Sequence, residues 1–489
     1  MVRRSVAEAA AAMAGEIEPA GDPAAAAVVF AGAAIDSRAV QGGELFFALA
    51  GARTDGHRHV AGALAAGAAA AVVARPAEPP PAAPAVLVRV ADTFAALHAL
   101  TRAVRHRVPE RLVAVTGSSG KTTTKDLLAA MLAGRFRVAK SPGNLNNLYG
   151  FPVALLGIPD DTEWMVAEMG MSEPGELARI SRLGRPDVAV FTNVRPVHLE
   201  FFADLAAITA AKEELLAGLA PDGLVVANAG DPQVAAIARR FLARRGAAGG
   251  RVVWYGREGG ANHAGGPLDM TAAAVGAAPA GEVGSRFELV AGGAGGGGAG
   301  RERQAVALPL HGGYNVDNCL AAAATAWALG VPLAAIAAAA GGAAPAAHRG
   351  VVHPLPGGGR LVDDAYNSNP DALARALEGA AELAPGGRRW AVLGDMLELG
   401  ADAPRYHRQA GESAARLGFT PVAGVGELAR ELVAGAAAGG AETAWFADAG
   451  AAAGWAIERL APGDLVLVKG SRGVGLEAVV ERLLAEEGG

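Results

Sequence analysis

Residues 114–125, Ala-Val-Thr-Gly-Ser-Ser-Gly-Lys-Thr-Thr-Thr-Lys, are of the types that bind phosphate groups. An apolar run at 112–115 leads into the glycines, and apolar residues at helical spacing follow over 122–132. Between a strand and a helix, glycines let backbone N–H groups surround an anion, and the helix N-terminus adds a favourable dipole. Lys121 would reach the β- and γ-phosphates, and the Thr122 hydroxyl would bind Mg²⁺. The segment therefore predicts a nucleoside triphosphate site.

The glycine spacing departs from the general rule for such loops, which places a Gly five residues before the Gly-Lys pair. That position is Val115, and the glycines here are Gly117 and Gly120. The alternative interpretation is an ordinary Ser/Gly turn before a helix, followed by a surface lysine. The strand pattern before the loop, the helix pattern after it and the sequence Lys-Thr-Thr favour the phosphate loop.

Polar segments also follow other predicted strands. Glu168 ends the strand pattern 164–168, where its carboxylate could bind Mg²⁺, and a surface glutamate is an equal alternative. The segment 363–370, Asp-Asp-Ala-Tyr-Asn-Ser-Asn-Pro, could bind a ribose, a metal or a substrate amide, or form only a turn. The segments 394–400 and 469–473 end two further strands. Ligand groups in open α/β sheets gather at the carboxyl ends of strands.

Four charged residues have simple alternatives when each is taken alone. His198 follows a strand, as many loop histidines do, and Lys212 would normally be a solvated charge on a helix. Lys469 and Arg472 could bind an anionic group or be ordinary loop charges.

Length and composition limit the classes of function. A chain of 489 residues predicts about three domains. The net charge is −6 with dispersed Lys and Arg, which argues against a nucleic-acid surface. The single cysteine, Cys319, excludes an intramolecular disulfide and fits a reducing compartment.

The N-terminal region has a weak similarity to a signal peptide, because Arg3 and Arg4 precede an Ala-rich stretch. Glutamates interrupt that stretch, so we predict an amphipathic helix over 1–20 instead. The longest apolar stretch, 61–74, is too short to span a bilayer. We therefore expect a soluble, cytoplasmic protein with no membrane partner.

Alternating strand and helix patterns predict an α/β fold with three units, 1–108, 109–345 and 346–489. The central unit should contain a mostly parallel sheet covered on both faces by helices. Two alternating strand patterns flank the glycine tract 292–300, which predicts a hairpin with a disordered tip.

Taken together, these motifs resemble the ATP-dependent Mur ligases of peptidoglycan synthesis, and the resemblance covers nearly the whole chain. The matching segments, in chain order, are 116–122, 143–147, 150–152, 168–170, 198–200, 211–213, 315–318, 364–370, 394–400 and 469–473. The last three look like the family member that adds a dipeptide. The family member that adds the third residue of the peptide typically has Asp-Tyr-Ala-His at the position of Asp364.

The resemblance implies an N-terminal domain for the UDP end of the substrate, a central P-loop ATPase-type domain with a parallel sheet, and a C-terminal Rossmann-like domain. It implies a monomeric cytoplasmic ligase that joins D-alanyl-D-alanine to UDP-N-acetylmuramoyl-tripeptide through an acyl phosphate. ATP and two Mg²⁺ ions would take part. Closure of the third domain over the second would keep water from the acyl phosphate.

The resemblance also implies roles for individual residues. ATP would contact Gly117, Ser118, Ser119, Gly120, Lys121, Thr122, Thr123, Asn318, Arg349 and Asp364. Catalysis would depend on Lys121, Glu168, His198 and Lys212. The metal ligands would be Thr122, Glu168, His198 and Lys212, the last carbamylated by CO₂. The substrates would contact Ser37, Arg38, Asn144, Asn146, Asn147, Tyr366, Asn367 and Asn369.

One departure from the family pattern and two alternative functions remain. The family often has Arg-His before the Asn of the central-domain helix, whereas this chain has Gly313-Tyr314, so the contacts of that Arg are not carried over. One alternative is a related ligase that adds an amino acid to a UDP-muramoyl peptide or glutamates to folate. The other is a nucleotide-binding regulatory or amidotransferase-partner protein without ligase activity.

Overall fold

The computed structural model describes residues 3–51, 54–76, 85–197, 199–245, 250–279, 282–292, 301–383 and 387–485. These residues form three α/β units in chain order, each with its own main sheet. Within the described part of the chain, no helix is both long enough and apolar enough to cross a membrane.

The N-terminal unit has a five-stranded sheet in the order β2-β7-β6-β5-β4 and a separate β1-β3 pair. Its strands are β1 (Arg3–Ser5), β2 (Glu16–Glu18), β3 (Val29–Ala31), β4 (Ala33–Ala34), β5 (Leu45–Phe47), β6 (Ala70–Val73) and β7 (Leu87–Arg89). Its helices are α1 (Val6–Met13), α2 (Pro23–Ala27), α3 (Val60–Ala65) and α4 (Thr93–Arg105).

The central unit has a nine-stranded sheet in the order β16-β15-β14-β13-β12-β11-β8-β10-β9. Its strands are β8 (Arg111–Thr116), β9 (Val138–Lys140), β10 (Trp164–Glu168), β11 (Val188–Phe191), β12 (Leu224–Asn228), β13 (Arg251–Arg257), β14 (Met270–Ala277), β15 (Ser285–Ala291) and β16 (Glu302–Leu308). Its helices are α5 (Lys121–Ala133), α6 (Gly150–Leu156), α7 (Glu176–Gly184), α8 (Leu205–Glu213), α9 (Pro232–Arg245), α10 (Gly313–Ala328) and α11 (Leu333–Gly341).

The C-terminal unit has a six-stranded sheet in the order β17-β18-β22-β19-β20-β21, parallel except for β17. Its strands are β17 (Val351–Leu355), β18 (Gly359–Asp364), β19 (Arg389–Gly394), β20 (Phe419–Val425), β21 (Thr443–Phe446) and β22 (Leu465–Lys469). Its helices are α12 (Pro370–Leu383), α13 (Ala403–Arg416), α14 (Ala429–Ala438), α15 (Ala449–Arg459) and α16 (Glu477–Ala485).

Successive residues of β8 alternate between two hydrophobic cores. Leu112 and Ala114 belong to a core that also contains residues of the N-terminal unit, whereas Val113 and Val115 pack with α5 and α10. Residues 112–115 of β8 are all apolar because both faces of the sheet are covered. The predicted α/β fold class and the mostly parallel central sheet are confirmed.

The predicted amphipathic helix is present within 1–20, but it covers only α1, Val6–Met13, so its predicted extent is wrong. Ser5 begins α1 with a capping box, and the left-handed conformation of Ala14 (φ 52°) ends the helix at its C-cap. The following residues form β2, which pairs with β7 and is joined to it by a 2.6 Å ion pair between Glu18 and Arg89. Pairing with a strand far along the chain overrides the local helix pattern.

The hairpin predicted around the glycine tract 292–300 is present, because β15 and β16 pair antiparallel in continuous register. Of the tract itself, residues 293–300 lie outside the described residues.

Candidate active site

The loop that connects β8 to α5 needs glycine at two positions. A Cβ on Gly117 would overlap the Thr192 side chain, and a Cβ on Gly120 would overlap the Asn318 side chain. Both glycines also have positive φ values, 153° and 80°. The loop after β11 lies against Gly117, and α10 lies against Gly120. This close approach explains why glycine stands at these two positions, although their spacing departs from the general rule.

Lys121, at the start of α5, folds back over this loop, and its Nζ donates to the Gly117 carbonyl at 2.9 Å. Burial lowers the pKa of Lys121 below the usual lysine value; the negative charge of Glu168 opposes this effect and the positive charge of Arg349 adds to it. A bound phosphate would favour the charged form of Lys121. The position and the electrostatics of this lysine fit the predicted role at a nucleotide.

Glu168 lies at the end of β10, beside the phosphate loop and 3% exposed. Its carboxylate accepts from Thr122 Oγ1 at 2.7 Å and from Asn146 Nδ2 at 2.8 Å. The interpretation of Glu168 as a surface residue is therefore wrong. A hydroxyl and a carboxylate side by side are the oxygen donors that Mg²⁺ prefers, and phosphate oxygens and water would complete its coordination. Among the described residues, no three His, Cys, Asp or Glu side chains form a metal-binding group.

Lys212, on α8, is buried and lines the same cleft. Burial lowers its pKa well below the usual lysine value, and the charge of Lys121 lowers it further. Lys212 is therefore not the solvated helix charge that its local sequence suggests. His198, the fourth predicted metal ligand, lies outside the described residues.

Across the cleft, the third unit contributes an ion pair between the buried Lys469 and the partly buried Asp364. Lys469 Nζ donates to Asp364 Oδ2 at 2.5 Å and to the Asn367 carbonyl at 2.9 Å. Burial raises the pKa of Asp364 above the usual aspartate value, and Lys469 opposes that rise. The pair fixes the segment after β18, which is therefore more than a simple turn.

A cleft of about 450 Å³ collects most of the predicted site residues. These residues are Gly117, Ser118, Ser119, Gly120, Lys121, Thr122, Thr123, Asn144, Asn146, Asn147, Glu168, Lys212, Asn318, Arg349, Asp364, Tyr366, Asn367 and Asn369. Ser37 and Arg38 lie elsewhere, in a short 3₁₀ helix of the N-terminal unit, where Arg38 is exposed and pairs with Asp36 at 2.7 Å.

The chain matches three family descriptions that together cover most of its length. "Mur ligase family, catalytic domain" matches residues 30–105, "Mur ligase middle domain" matches 115–326, and "Mur ligase, glutamate ligase domain" matches 348–472. Two similar relatives are the UDP-N-acetylmuramoyl-tripeptide–D-alanyl-D-alanine ligases of Bacillus subtilis and Escherichia coli, 31% and 34% identical, each match covering 93% of both chains. The chain belongs to the Mur ligase family.

Solved structures agree with this family assignment. MurF from Acinetobacter baumannii is similar with a TM-score of 0.81 and 28% identity, over 99% of both chains. MurF ligase from Thermotoga maritima, in complex with ADP, gives a TM-score of 0.75 and 27% identity, over 93% of this chain and 97% of that one. The family resemblance and the three-domain organisation expected from the sequence are confirmed.

Two of the predicted substrate residues of this Mur ligase also hold the backbone of the site. Asn147 Oδ1 accepts from the Gly150 N–H at the start of α6 at 2.8 Å. Asn369 Oδ1 accepts from the Ala372 N–H in the first turn of α12 at 2.9 Å. Their side chains thus fix the helices that border the cleft.

The sequence alone did not predict a contact at Gly313, where this chain departs from the family pattern. The Arg257 guanidinium, from β13, donates to the Gly313 carbonyl and to both carboxylate oxygens of Asp317, at 2.7 and 2.9 Å for the latter. A Cβ at Gly313 would lie 3.0 Å from this guanidinium. An arginine from another strand therefore holds the first turn of α10, and no local signal links residues so far apart in the chain.

The third unit also contacts the central unit directly around the cleft. The Arg195 side chain bridges Asp231 of the central unit and Asp371 of the third unit. The Glu200 N–H donates to the Glu398 carbonyl at 3.3 Å. These contacts hold the third unit against the central unit beside the phosphate loop.

Gly120→Ala tests the loop geometry. Its Cβ would overlap Asn318 in a left-handed backbone conformation, so we expect ATP to bind about tenfold more weakly or worse, as measured by calorimetry. Gly134→Ala, at the end of α5, is the matched control, because a Cβ there meets open space. Unchanged ATP affinity in Gly120→Ala would contradict the geometry described.

Proposed function

We propose that this Mur ligase joins D-alanyl-D-alanine to UDP-N-acetylmuramoyl-tripeptide, converting ATP to ADP and phosphate in cytoplasmic synthesis of peptidoglycan precursors. The names of relatives that match over more than nine-tenths of the chain support this reaction. The observation that carries it is the cleft in which a phosphate loop, a buried carboxylate and the 364–370 segment of the third unit meet.

Each unit has a separate part in this proposal. Residues 1–108 bind the UDP end of the substrate with Ser37 and Arg38, 109–345 bind ATP, and 346–489 bring the dipeptide. We propose that the protein acts as a monomer; the cleft that collects the groups proposed to act on ATP and the dipeptide is formed within one chain.

The first step joins two anions, so electrostatic repulsion between them is the main barrier to it. A carboxylate oxygen of the tripeptide attacks the γ-phosphorus of ATP, and the bond to the β-phosphate oxygen breaks to leave ADP. Lys121, held beside the loop, stabilises the charge on the phosphate oxygens. Mg²⁺ bound by Thr122 and Glu168 would neutralise further phosphate charge, and His198 with Lys212 would hold a second ion.

The low pKa of Lys212 supports its carbamylation. Only a neutral amine reacts with CO₂, and burial keeps this amine neutral more readily than a surface lysine. The carbamate would convert this buried amine into an anionic group that offers two oxygen atoms. Lys212 would then be a ligand of the second ion.

In the second step the dipeptide amine attacks the acyl carbon, and phosphate leaves with the oxygen that came from the carboxylate. Water must be excluded, because it would hydrolyse the acyl phosphate. The contacts between the third and central units around the cleft support this exclusion. They also place Asp364 and Arg349 in the cleft with the phosphate loop, where we propose that they contact the ribose and a phosphate.

The decisive assay is phosphate release from ATP with UDP-N-acetylmuramoyl-tripeptide, comparing D-alanyl-D-alanine with single amino acids and with folate plus glutamate. We expect turnover with the dipeptide alone. Lys121→Ala should abolish turnover, because the charge beside the phosphate oxygens is lost. Turnover with a single amino acid or folate would indicate a related ligase, and no turnover with any acceptor would indicate a regulatory protein.

Lys212→Ala tests the carbamate. We expect about a 100-fold loss of turnover, since a group that stabilises charge in the transition state is removed. Formate or acetate should restore part of the activity by supplying carboxylate oxygens in the space that the side chain leaves. Lys140→Ala, at an exposed lysine paired with Asp126, is the control and should keep full activity. Unchanged activity in Lys212→Ala would contradict the proposed role.

A further inference from the structure

Among the residues that the structure describes, three arginines line the cleft, and they differ in what their charges already contact. Arg375 forms an ion pair with Asp371 at 3.1 Å. Arg349 is close enough to the phosphate loop to contribute to the lowered pKa of Lys121. Arg472 is exposed, at the start of the turn after β22; its guanidinium lies 5.6 Å from the centre of the Tyr366 ring and makes no ion pair with any residue that the structure describes. Its positive charge is therefore available to an anionic ligand.

An exposed apolar side chain lies next to this arginine. Leu397, in the loop after β19, is 44% exposed and lines the cleft. Its backbone N–H donates to Ser471 Oγ at 3.0 Å, which fixes it beside the turn that carries Arg472. A Cβ on Gly473 would lie 3.2 Å from Leu397 Cδ1, so the two loops are in close contact. The result is an apolar surface beside an available cation.

A buried hydroxyl lies beside the turn that carries Arg472. Ser368 is 4% exposed and lines the cleft, and its Oγ has no hydrogen-bond partner among the described residues. Ser471 Oγ donates to the Ser368 carbonyl at 3.4 Å, which places Ser368 beside the same turn. A buried hydroxyl without a partner is destabilising, and a polar ligand atom would satisfy it.

We propose that these side chains form the subsite for the carboxyl end of the incoming dipeptide. Arg472 binds the terminal carboxylate, Ser368 Oγ donates to a dipeptide oxygen, and Leu397 packs against the methyl groups. This inference rests on the proposed function, because it concerns the acceptor of that reaction. The dipeptide amine must face the acyl phosphate, so the carboxylate at its other end needs a cation that the phosphates do not use.

The experiment compares D-alanyl-D-alanine with its C-terminal amide, which keeps both methyl groups and the amine but lacks the negative charge. The kcat/KM of phosphate release is measured for the wild type and for Arg472→Gln. Arg408→Gln is the matched control, because it also removes one positive charge. Arg408 is a partly exposed arginine on α13 that pairs with Glu431 outside the cleft. The ratio between two substrates of one enzyme preparation is independent of how much of each variant is folded.

We expect the wild type and Arg408→Gln to prefer the free acid by about tenfold or more, and Arg472→Gln to lose most of that preference with an unchanged KM for ATP. An unchanged acid-to-amide ratio in Arg472→Gln would overturn the inference. Equal losses with acid and amide and a raised KM for ATP would also overturn it, because Arg472 would then act on the nucleotide. Absence of wild-type turnover with D-alanyl-D-alanine would instead refute the proposed function.

Leu397→Ser tests the apolar part of the subsite, with glycylglycine as the dipeptide that lacks methyl groups. We expect the wild type to prefer D-alanyl-D-alanine in kcat/KM and the variant to show a smaller preference, because the methyl groups lose their apolar contact. The same preference in both enzymes would show that Leu397 does not contact the dipeptide.

Discussion

Repulsion between a triphosphate and a carboxylate is the constraint on which the rest of the site depends. Two anions can react only if positive charge is held between them, and such charge acts most strongly where water is excluded. The structure provides Lys121 beside the loop and an oxygen pair at Thr122 and Glu168 that suits Mg²⁺, and the proposed carbamate of Lys212, in the cleft wall, would hold a second ion. All of them lie at the carboxyl ends of parallel strands or on the helices that follow.

Burying these charged side chains costs free energy in the protein without ligand. Hydrogen bonds and ion pairs with neighbouring side chains reduce that cost. Glu168 accepts two side-chain hydrogen bonds, and Asp364 is held by Lys469. Lys121 and Lys212 remain with lowered pKa values because their burial is not fully compensated. A bound nucleotide would relieve that cost at Lys121, so the site is stabilised by the ligand that it binds.

Local sequence patterns predicted the phosphate loop and the positions of Glu168 at the end of β10 and Asp364 at the end of β18. They left open whether the two carboxylates are buried in a site, which the structure answers. Contacts between distant segments could not be predicted in this way. The Arg257–Asp317 pair, the β2–β7 pairing that shortens the first helix, and the meeting of Leu397 with the Arg472 turn each depend on the assembled fold.

In the proposed reaction, the cleft activates a carboxylate as an acyl phosphate before the amine attacks. The most direct measurement uses UDP-N-acetylmuramoyl-tripeptide labelled with ¹⁸O in the reacting carboxylate, followed by mass analysis of the phosphate released with D-alanyl-D-alanine. We expect one ¹⁸O atom in each phosphate, since the carboxylate oxygen leaves with it. Phosphate without ¹⁸O, formed together with the amide product, would contradict an acyl phosphate intermediate.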